Sequence, residues 1–483
     1  MLRILLVLAV TGRLVRYFTV AFIPPTLLAL YEQEWLSAGS FLASAILGAV
    51  LGHLASRKYE TPRLFHRSEA MAVVAFTWLF AALVAALPYM FMGFSFEDAF
   101  FESMSGMTTT GATILTNFES YDRSFFLWRA MTQWFGGLGV IALFVVVLPR
   151  LGIAGRQLFF AEASTAPSDA VSPQIRRSAG SLWKLYVALT GLCAIFLACG
   201  GMSLYESLLH AMTTLSAGGF SPQANSIAAY SSSYIEWVLI GFMFVAGASF
   251  PLQLRAAMGE PLVFLKDDEF LFYLFATILG GILLAALLEG FESLDAVRTG
   301  LFQSASLISS TGYASVDYNE WPDSARSILL IIMLLGGCAG SAAGGPKAIR
   351  HLLVGRTVLR EVRQVLHPRA VLPLRYRGRA IPDQVLRAVF SLVALYVAGY
   401  LILGALLIFL GMEPIAALTA SVACFGNVGP GLDAVGPMAN FAHVGTPAKF
   451  LLSIAMWIGR LEIMTVIALL HPSVWKHLSV KRS

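Results

Sequence analysis

Long apolar runs constrain this chain more than any other feature, because about 20 consecutive apolar residues suffice to cross the hydrocarbon core of a bilayer as one helix. Such runs fall near 4–30, 38–56, 70–93, 125–149, 182–202, 234–258, 268–289, 325–345, 385–411 and 447–470, ten in all. Only 13% of the 483 residues are charged and 57% are hydrophobic, against roughly 25% and 45–50% in soluble domains. The pattern predicts an all-α integral membrane protein of about ten transmembrane helices and argues against a soluble enzyme. The first run contains Arg13, Arg16 and Pro24-Pro25, which predicts a kinked or shortened helix. Its opening, Met1–Val10, mimics a signal peptide, but no convincing small-residue cleavage site follows, so retention is expected. Cys193, Cys199, Cys338 and Cys424 lie in apolar surroundings without CxxC spacing, which suggests packing residues rather than a zinc site or disulfide framework.

Basic residues set the orientation. With the amino terminus inside, ten crossings put both termini in the cytoplasm. They put there Arg57, Lys58, Arg63 and Arg67, then Arg150, Arg156, Arg176 and Arg177, then a long basic run. That run holds Lys347, Arg350, Arg356, Arg360, Arg363, Arg369, Arg375, Arg377, Arg379 and Arg387, interrupted by Pro368, Pro373 and Pro382. It reads either as a topology determinant alone or as a surface for anionic headgroups or an acidic protein partner. The opposite face carries seventeen acids, from Glu32 and Glu34 to Glu413 and Asp433, against Arg123, Arg129, Arg298, Arg326 and Lys449. Such a field either concentrates cations at an outer mouth or merely solvates that surface.

Between several span pairs lies a segment too short to cross. Glu97–Met107 runs into Met-Thr-Thr-Thr-Gly-Ala-Thr at 107–113, and about 11 helical residues cover only roughly 16 Å, half a bilayer. The design returns at 205–221, 299–315 and 414–432. Aligned without gaps, Gly111, Gly219, Gly312 and Gly429 share a column, with Ser105, Thr213, Ser306 and Ala423 six residues earlier. The separations of 108, 93 and 117 residues imply one unit of span, half-helix, loop and span used four times. The expected organisation is an accessory two-helix segment at 1–68 and pore repeats at 69–180, 181–266, 267–382 and 383–483.

A half-helix entering from outside aims its carboxyl end, carrying about half a negative charge, at the membrane middle. Four such ends stabilise a cation there, and the loops that follow, non-helical at membrane depth, must line a cavity or be buried in protein. Glycine lets carbonyls approach an axis without a side-chain clash, and rings of carbonyls can replace the hydration shell of K+. The filter candidates are Thr109, Thr110 and Gly111, then Ala217, Gly218 and Gly219, then Ser310, Thr311 and Gly312, then Asn427, Val428 and Gly429.

Gly336, Gly340 and Gly344 recur every fourth residue, which by spacing alone reads as a packing face. With Gly337, Ser341 and Gly345, however, the stretch has low helix propensity, and an unwound gate below the filter becomes plausible. Arg460 is read near the middle of the 447–470 span, where a charge faces protein or water and is functional by default, the alternative being a buried ion pair with another span. His210 stands in the column of Glu102, Gln303 and Ala420, and its variation there favours a local hydrogen-bonding role. Gly137–Ala142 matches G-x-G-x-x-A, but inside an apolar span this reads as helix packing. No HExxH, Walker or GxSxG pattern occurs.

Several segments together resemble the Trk/Ktr/HKT superfamily of potassium transporters, and within it the bacterial TrkH/TrkG subunits. They are FFESMSGMTTTGAT at 100–113, WRAMTQWFGGLGVI at 128–141, LWKLY at 182–186, HAMTTLSAGGFS at 210–221, SSTGYAS at 309–315, GGCAGSAAGGPK at 336–347, NVGPGL at 427–432 and WIGRLE at 457–462. The resemblance implies a four-repeat pore in a single chain, K+ as transported ion held at the filter residues, and a gate at Gly336–Gly345 with Arg460. It implies a homodimer in the bacterial inner membrane and a cytosolic TrkA-type nucleotide-binding ring, so that any nucleotide acts through a partner; no covalent cofactor and no nucleic acid are expected. Gly111 resembles the potassium-selective members, which distinguishes the chain from sodium-conducting relatives with serine there. The chain departs from the family pattern at Gly426-Asn427, where paired asparagines are frequent, and at Asp433, where a small residue is common. A sodium-permeable member of the same fold and a membrane-embedded enzyme are the alternatives.

Overall fold

The computed structural model describes residues 3–57, 67–142, 173–288, 293–472 and 475. Lys58, Arg63, Arg150, Arg156, Glu289, Glu292 and the two chain ends lie outside the described residues, as do the side chains of Arg67, Arg176, Arg177 and Arg379.

The chain opens with α1 (Arg3–Phe18), a tight turn at Thr19–Phe22 and α2 (Ile23–Tyr31), followed by α3 (Trp35–Ser56). Pro24 and Pro25 sit in the first turn of α2, where a missing N–H costs nothing, so the expected kink becomes a short 3-10 turn within one crossing path. This pair of crossings docks on the first repeat through Trp128, against which Phe22 stacks at 4.5 Å and Phe18 and Phe41 pack at 6.1 Å.

Four units follow. The first is α4 (Arg67–Phe91), half-helix α5 (Phe96–Met107) and α6 (Arg123–Ala142); the second is α7 (Pro173–Cys199), half-helix α8 (Leu204–Leu215), α9 (Ser233–Gly247) and α10 (Phe250–Ala257). The third is α11 (Asp268–Leu288), half-helix α12 (Leu294–Ile308), α13 (Asp323–Met333) and α14 (Ala348–Leu366). The fourth is α15 (Asp383–Phe409), half-helix α16 (Pro414–Phe425), α17 (Thr446–Arg460) and α18 (Ile463–Leu470). Between α14 and α15 lies a hairpin of β1 (Arg375–Tyr376) and β2 (Arg379–Ala380), Tyr376 opposite Arg379. Ser95, Ser203 and Ser293 cap the first three half-helices, each accepting a backbone N–H from the first turn, and Pro414 opens the fourth.

Each half-helix packs against the first helix of its own unit and the second helix of the preceding one: α8 against α6, α12 against α9, α16 against α13 and α5 against α17. The last pairing closes the circle. Half-helix α16 buries every residue from Thr419 to Phe425, and α5 every residue from Ala99 to Met107, so their polar ends sit in protein rather than lipid.

Six described helices are long and apolar enough to cross a membrane, and two bent pairs raise the number to eight. Of the two remaining predicted spans, the 125–149 run is described only as far as Ala142, in α6, and the other ends early at Met333. The second elements are where the sequence-based spans differ most from the structure. The 234–258 run is broken between α9 and α10 with a bend of 104°, and the 447–470 run between α17 and α18 with a bend of 108°. Arg460 is therefore the last residue of a helix, and not the middle of one as its place in the apolar run suggests.

Candidate functional site

All four half-helices end alike. The residue two before each column glycine has a left-handed backbone: Thr109 at φ 50°, Ala217 at 55°, Ser310 at 56° and Asn427 at 54°. Its successor returns a backbone N–H to the carbonyl five residues back, Thr110 to Ser105, Gly218 to Thr213, Thr311 to Ser306 and Val428 to Ala423, each at 2.8 Å. This is the Schellman helix ending, formed four times. It explains the second aligned column, whose four members all accept through their backbone oxygens, while Ser306 also donates its hydroxyl to the Tyr313 carbonyl at 2.7 Å. Left-handed conformation costs a non-glycine residue roughly 1–2 kcal/mol, so four of them mark a constraint imposed by the assembled loops.

The glycines then turn left-handed too, at φ 87°, 74°, 78° and 105° for Gly111, Gly219, Gly312 and Gly429. A side-chain carbon added at each strikes a carbonyl of the next loop: Gly111 that of Gly218, Gly219 that of Thr311, Gly312 that of Val428, and Gly429 that of Thr110. The contacts run round a closed ring of four loops. The twelve predicted filter residues are thus brought together, backbone against backbone. Above them a cavity of about 110 Å³ is lined by Gly111, Gly219, Gly312 and Pro430, with Arg129 and Ser221 at its wall.

A polar side chain in the middle of each half-helix pins the strand that leaves the ring. Glu102 accepts from Ile114 N at 3.0 Å and from the Thr113 hydroxyl, and His210 meets Ser221 Oγ at 3.1 Å. Gln303 donates to Ser315 Oγ at 3.2 Å. The fourth loop has Ala420 in that column, and the neighbouring Thr419 takes over, its Oγ1 accepting from Leu432 N at 3.0 Å. His210 is accordingly a local brace. Glu102 is further tied to buried Arg129 at 2.8 Å, whose guanidinium lies 4.0 Å from the Phe220 ring centre. All five bases predicted on the acidic face are paired: Arg123 with Glu32, Arg129 with Glu102, Arg298 with Glu236, Arg326 with Asp433, and Lys449 with Asp98. Asp433, a departure from the family pattern, is therefore half of an ion pair between the third and fourth units. Asn427, the asparagine kept beside the departing Gly426, donates from Nδ2 to Thr110 Oγ1 at 3.0 Å and to the Met456 carbonyl at 2.9 Å, stitching the fourth loop to the first.

Directly against these turns lies the 336–345 segment, an irregular buried loop rather than a packing face of a helix. Gly336, Gly340 and Gly345 have φ of 72°, 76° and 70°. Gly344 N donates to Ser310 Oγ at 2.5 Å, and a carbon added at Gly344 falls 2.7 Å from Asn427 Cβ. Gly337 lies close under the Gly247 carbonyl and Ser341 Oγ donates to the Cys338 carbonyl at 2.6 Å. Arg460 donates from Nη1 to the Ala342 carbonyl at 2.9 Å and from Nη2 to the Gly136 carbonyl at 3.4 Å. Among the described residues Arg460 has no ion pair, and the buried pair of this region is Arg350 with Glu462, 2.5 Å apart. The Ser310 link and the left-handed non-glycine residues escaped sequence reasoning, since Thr, Ala, Ser and Asn share no signature.

A family model described as TrkH, cation transport protein, matches residues 38–476. The chain is 34% identical over 487 residues to the Trk system potassium uptake protein TrkH of Vibrio parahaemolyticus, covering 97% of this chain and 99% of that protein. It is 33% identical to TrkH of Escherichia coli over 97% and 98% of the two chains, and 29% identical to TrkG of the same species over 96% and 97%. The crystal structure of the potassium transporter TrkH from Vibrio parahaemolyticus superposes with a TM-score of 0.89 at 31% identity, covering 98% of this chain and 99% of that one.

Proposed function

The chain belongs to the TrkH family of cation transport proteins, a multi-pass membrane family, and from that premise we propose that it carries K+ into the bacterial cell through a channel-like pore. The observation that carries this reading is the ring in which each column glycine faces the carbonyl of the next loop. Four backbone loops with alternating left-handed residues hold carbonyls around one axis without side chains between them, which suits a cation stripped of water. The four half-helix carboxyl ends add negative potential at the same place.

The oxygens bear no proton, so the ring itself needs no acid or base. Thr109–Gly111, Ala217–Gly219, Ser310–Gly312 and Asn427–Gly429 are the proposed filter. The loop at Gly336, Gly337, Gly340, Ser341, Gly344 and Gly345, latched by Arg460, is the proposed gate, since it is buried against the filter turns. The basic side, with both termini, faces the cytoplasm by the positive-inside rule. A homodimer regulated by a TrkA-type nucleotide-binding ring completes the proposal, with the accessory segment at 1–68 and the four repeats bounded as the sequence suggests.

Purified protein in liposomes, loaded with K+ and given external rubidium, tests this. Rubidium uptake that excess sodium fails to suppress is the expected result. Equal competition by sodium overturns potassium selectivity, and no uptake overturns the pore.

A further inference from the structure

Glu269 is a buried carboxylate that neither the fourfold pattern nor the glycine-rich loop explains. It stands in the first turn of α11, 4% exposed. Its Oε1 accepts two backbone N–H groups, from Ala339 at 2.6 Å and Ile349 at 3.2 Å. Ala339 lies inside the proposed gate loop and Ile349 in the first turn of α14 beyond it, so one oxygen ties the loop to the helix that follows it. The two residues before it reach further toward the basic side. Asp268 pairs with Arg356 of α14 at 2.9 Å, and Asp267 pairs with Arg377 in the turn of the hairpin. Arg356 also donates to the Arg375 carbonyl in β1 at 3.1 Å. Three consecutive acids at the end of one spanning helix thus hold the hairpin, α14 and the gate loop.

Apolar packing follows the same line. A single cluster contains Ala339 of the loop, Ile349 and Leu353 of α14, Leu374 and Tyr376 of the hairpin, and residues at the start of α15. Close-packed side chains transmit a displacement instead of absorbing it, so moving the hairpin moves the wall against which Ala339 rests.

We propose that Asp267, Asp268 and Glu269, with the hairpin around Arg375–Ala380, form the transmission element between the basic face and the gate, and that Glu269 is the positioning residue that fixes the loop in its closed place. This rests on the gate reading of 336–345. A protein partner with an acidic surface competes with Asp267 for Arg377, frees the hairpin, and thereby withdraws support from the loop. Loss of the carboxylate itself leaves two buried N–H groups without their charged acceptor, which loosens the loop directly.

The test uses full-length protein in liposomes with two readouts, basal rubidium flux and amide hydrogen exchange of the 336–349 segment. Glu269→Ala is expected to raise basal flux about tenfold or more, a barrier change on the scale of a lost charged hydrogen bond, and to lower protection of the segment. Glu269→Gln keeps an acceptor oxygen and gives a smaller change in both. Asp267→Arg is expected to act in the same direction, and adding Arg377→Asp to restore both readouts. A folded Glu269→Ala protein with wild-type flux and protection overturns the proposal. Where Glu269→Ala fails to fold, the charge-swapped pair decides, and failure of the second change to rescue the first overturns it. If exchange follows the expected order while even the wild type carries no rubidium, the latch stands and the potassium reading falls.

Discussion

Gly429 offers the most discriminating test of the carbonyl ring, because it is the column member with the mildest clash. A side-chain carbon there lies 2.6 Å from the Thr110 carbonyl oxygen, whereas real contacts of this kind do not fall below 3.0 Å and are ordinary from 3.4 Å. In Gly429→Ala the oxygen must therefore recede by about 0.4–0.8 Å. With about half a charge on the oxygen and an ion at roughly 3 Å, that recession removes on the order of 1 kcal/mol at an effective dielectric near 10. The preference of K+ over Na+ is expected to fall by up to about fivefold, the limit in which the whole loss falls on K+, since every 1.4 kcal/mol is a factor of ten. The left-handed φ of 105° adds about 1–2 kcal/mol of strain to the folded state, which by itself has no bearing on ions. Gly93→Ala isolates that strain: Gly93 has φ 98° and nothing within 4 Å of the added carbon. Reversal potentials in mixed K+ and Na+ solutions, measured for both variants, separate the two effects. Wild-type selectivity in folded Gly429→Ala, or an equal loss in Gly93→Ala, refutes the reasoning.

Gly111→Ser is expected to lower discrimination further than Gly429→Ala, its added atoms lying closer to the neighbouring carbonyl; the same reversal potentials check it. Arg460→Ala is expected to raise basal rubidium flux per folded molecule with selectivity kept, since it removes a bond to the Ala342 carbonyl and a fixed positive charge worth about 2–5 kcal/mol at roughly 6–8 Å; unchanged flux in a stable protein counts against it. Glu102→Ala leaves Arg129 buried without its partner and is expected to cost about 3–5 kcal/mol, read as a large loss of thermal stability in detergent. Docking of a nucleotide-binding ring is better probed at exposed Arg363 and Arg369 than at Arg356 or Arg360, which pair with Asp268 and Asp383; Arg363→Glu with Arg369→Glu is expected to weaken co-purification while flux of the isolated chain stays intact.

The half-helices and the glycine column were legible because both depend on residue type: a run too short to cross, and a position where a side chain cannot fit. The left-handed residues two positions earlier were not, because the assembled ring imposes their conformation on Thr109, Ala217, Ser310 and Asn427 alike. Arg460 was legible as a buried charge but misplaced along its helix. Beyond Arg460 and Glu462 themselves, apolar residues continue on both sides of the break, so hydropathy runs through it. The break coincides with a tertiary contact, the pairing of Glu462, at φ 62°, with Arg350 from another unit. Asp267–Glu269 was passed over for a similar reason, since acids at the mouth of a span look like solvated ends until the loop and hairpin they hold are in view.

The proposed filter and the proposed gate obey different symmetries. Every unit supplies the ring with the same backbone turn, so its geometry is fourfold even where side chains differ. The 336–345 loop comes from the third unit alone, yet the second and fourth units bond to it as well, and the first braces the arginine that does so. The break after α9 leaves helix-end carbonyls unpaired, and those of Gly247 and Ala246 accept from Cys338 N and Ala342 N of the loop. The break after α17 places Arg460 on the Ala342 carbonyl, and the same guanidinium reaches the Gly136 carbonyl of α6 in the first unit. The third unit adds Ser310 from its own filter turn, 2.5 Å from Gly344 N. An opening movement of the loop must therefore release bonds to the second and fourth units, and it breaks the Ser310 bond to one filter turn at the same moment. If the loop is the gate as proposed, that hydrogen bond couples its opening to the third filter loop, the one of the four whose left-handed residue accepts a hydrogen bond from it.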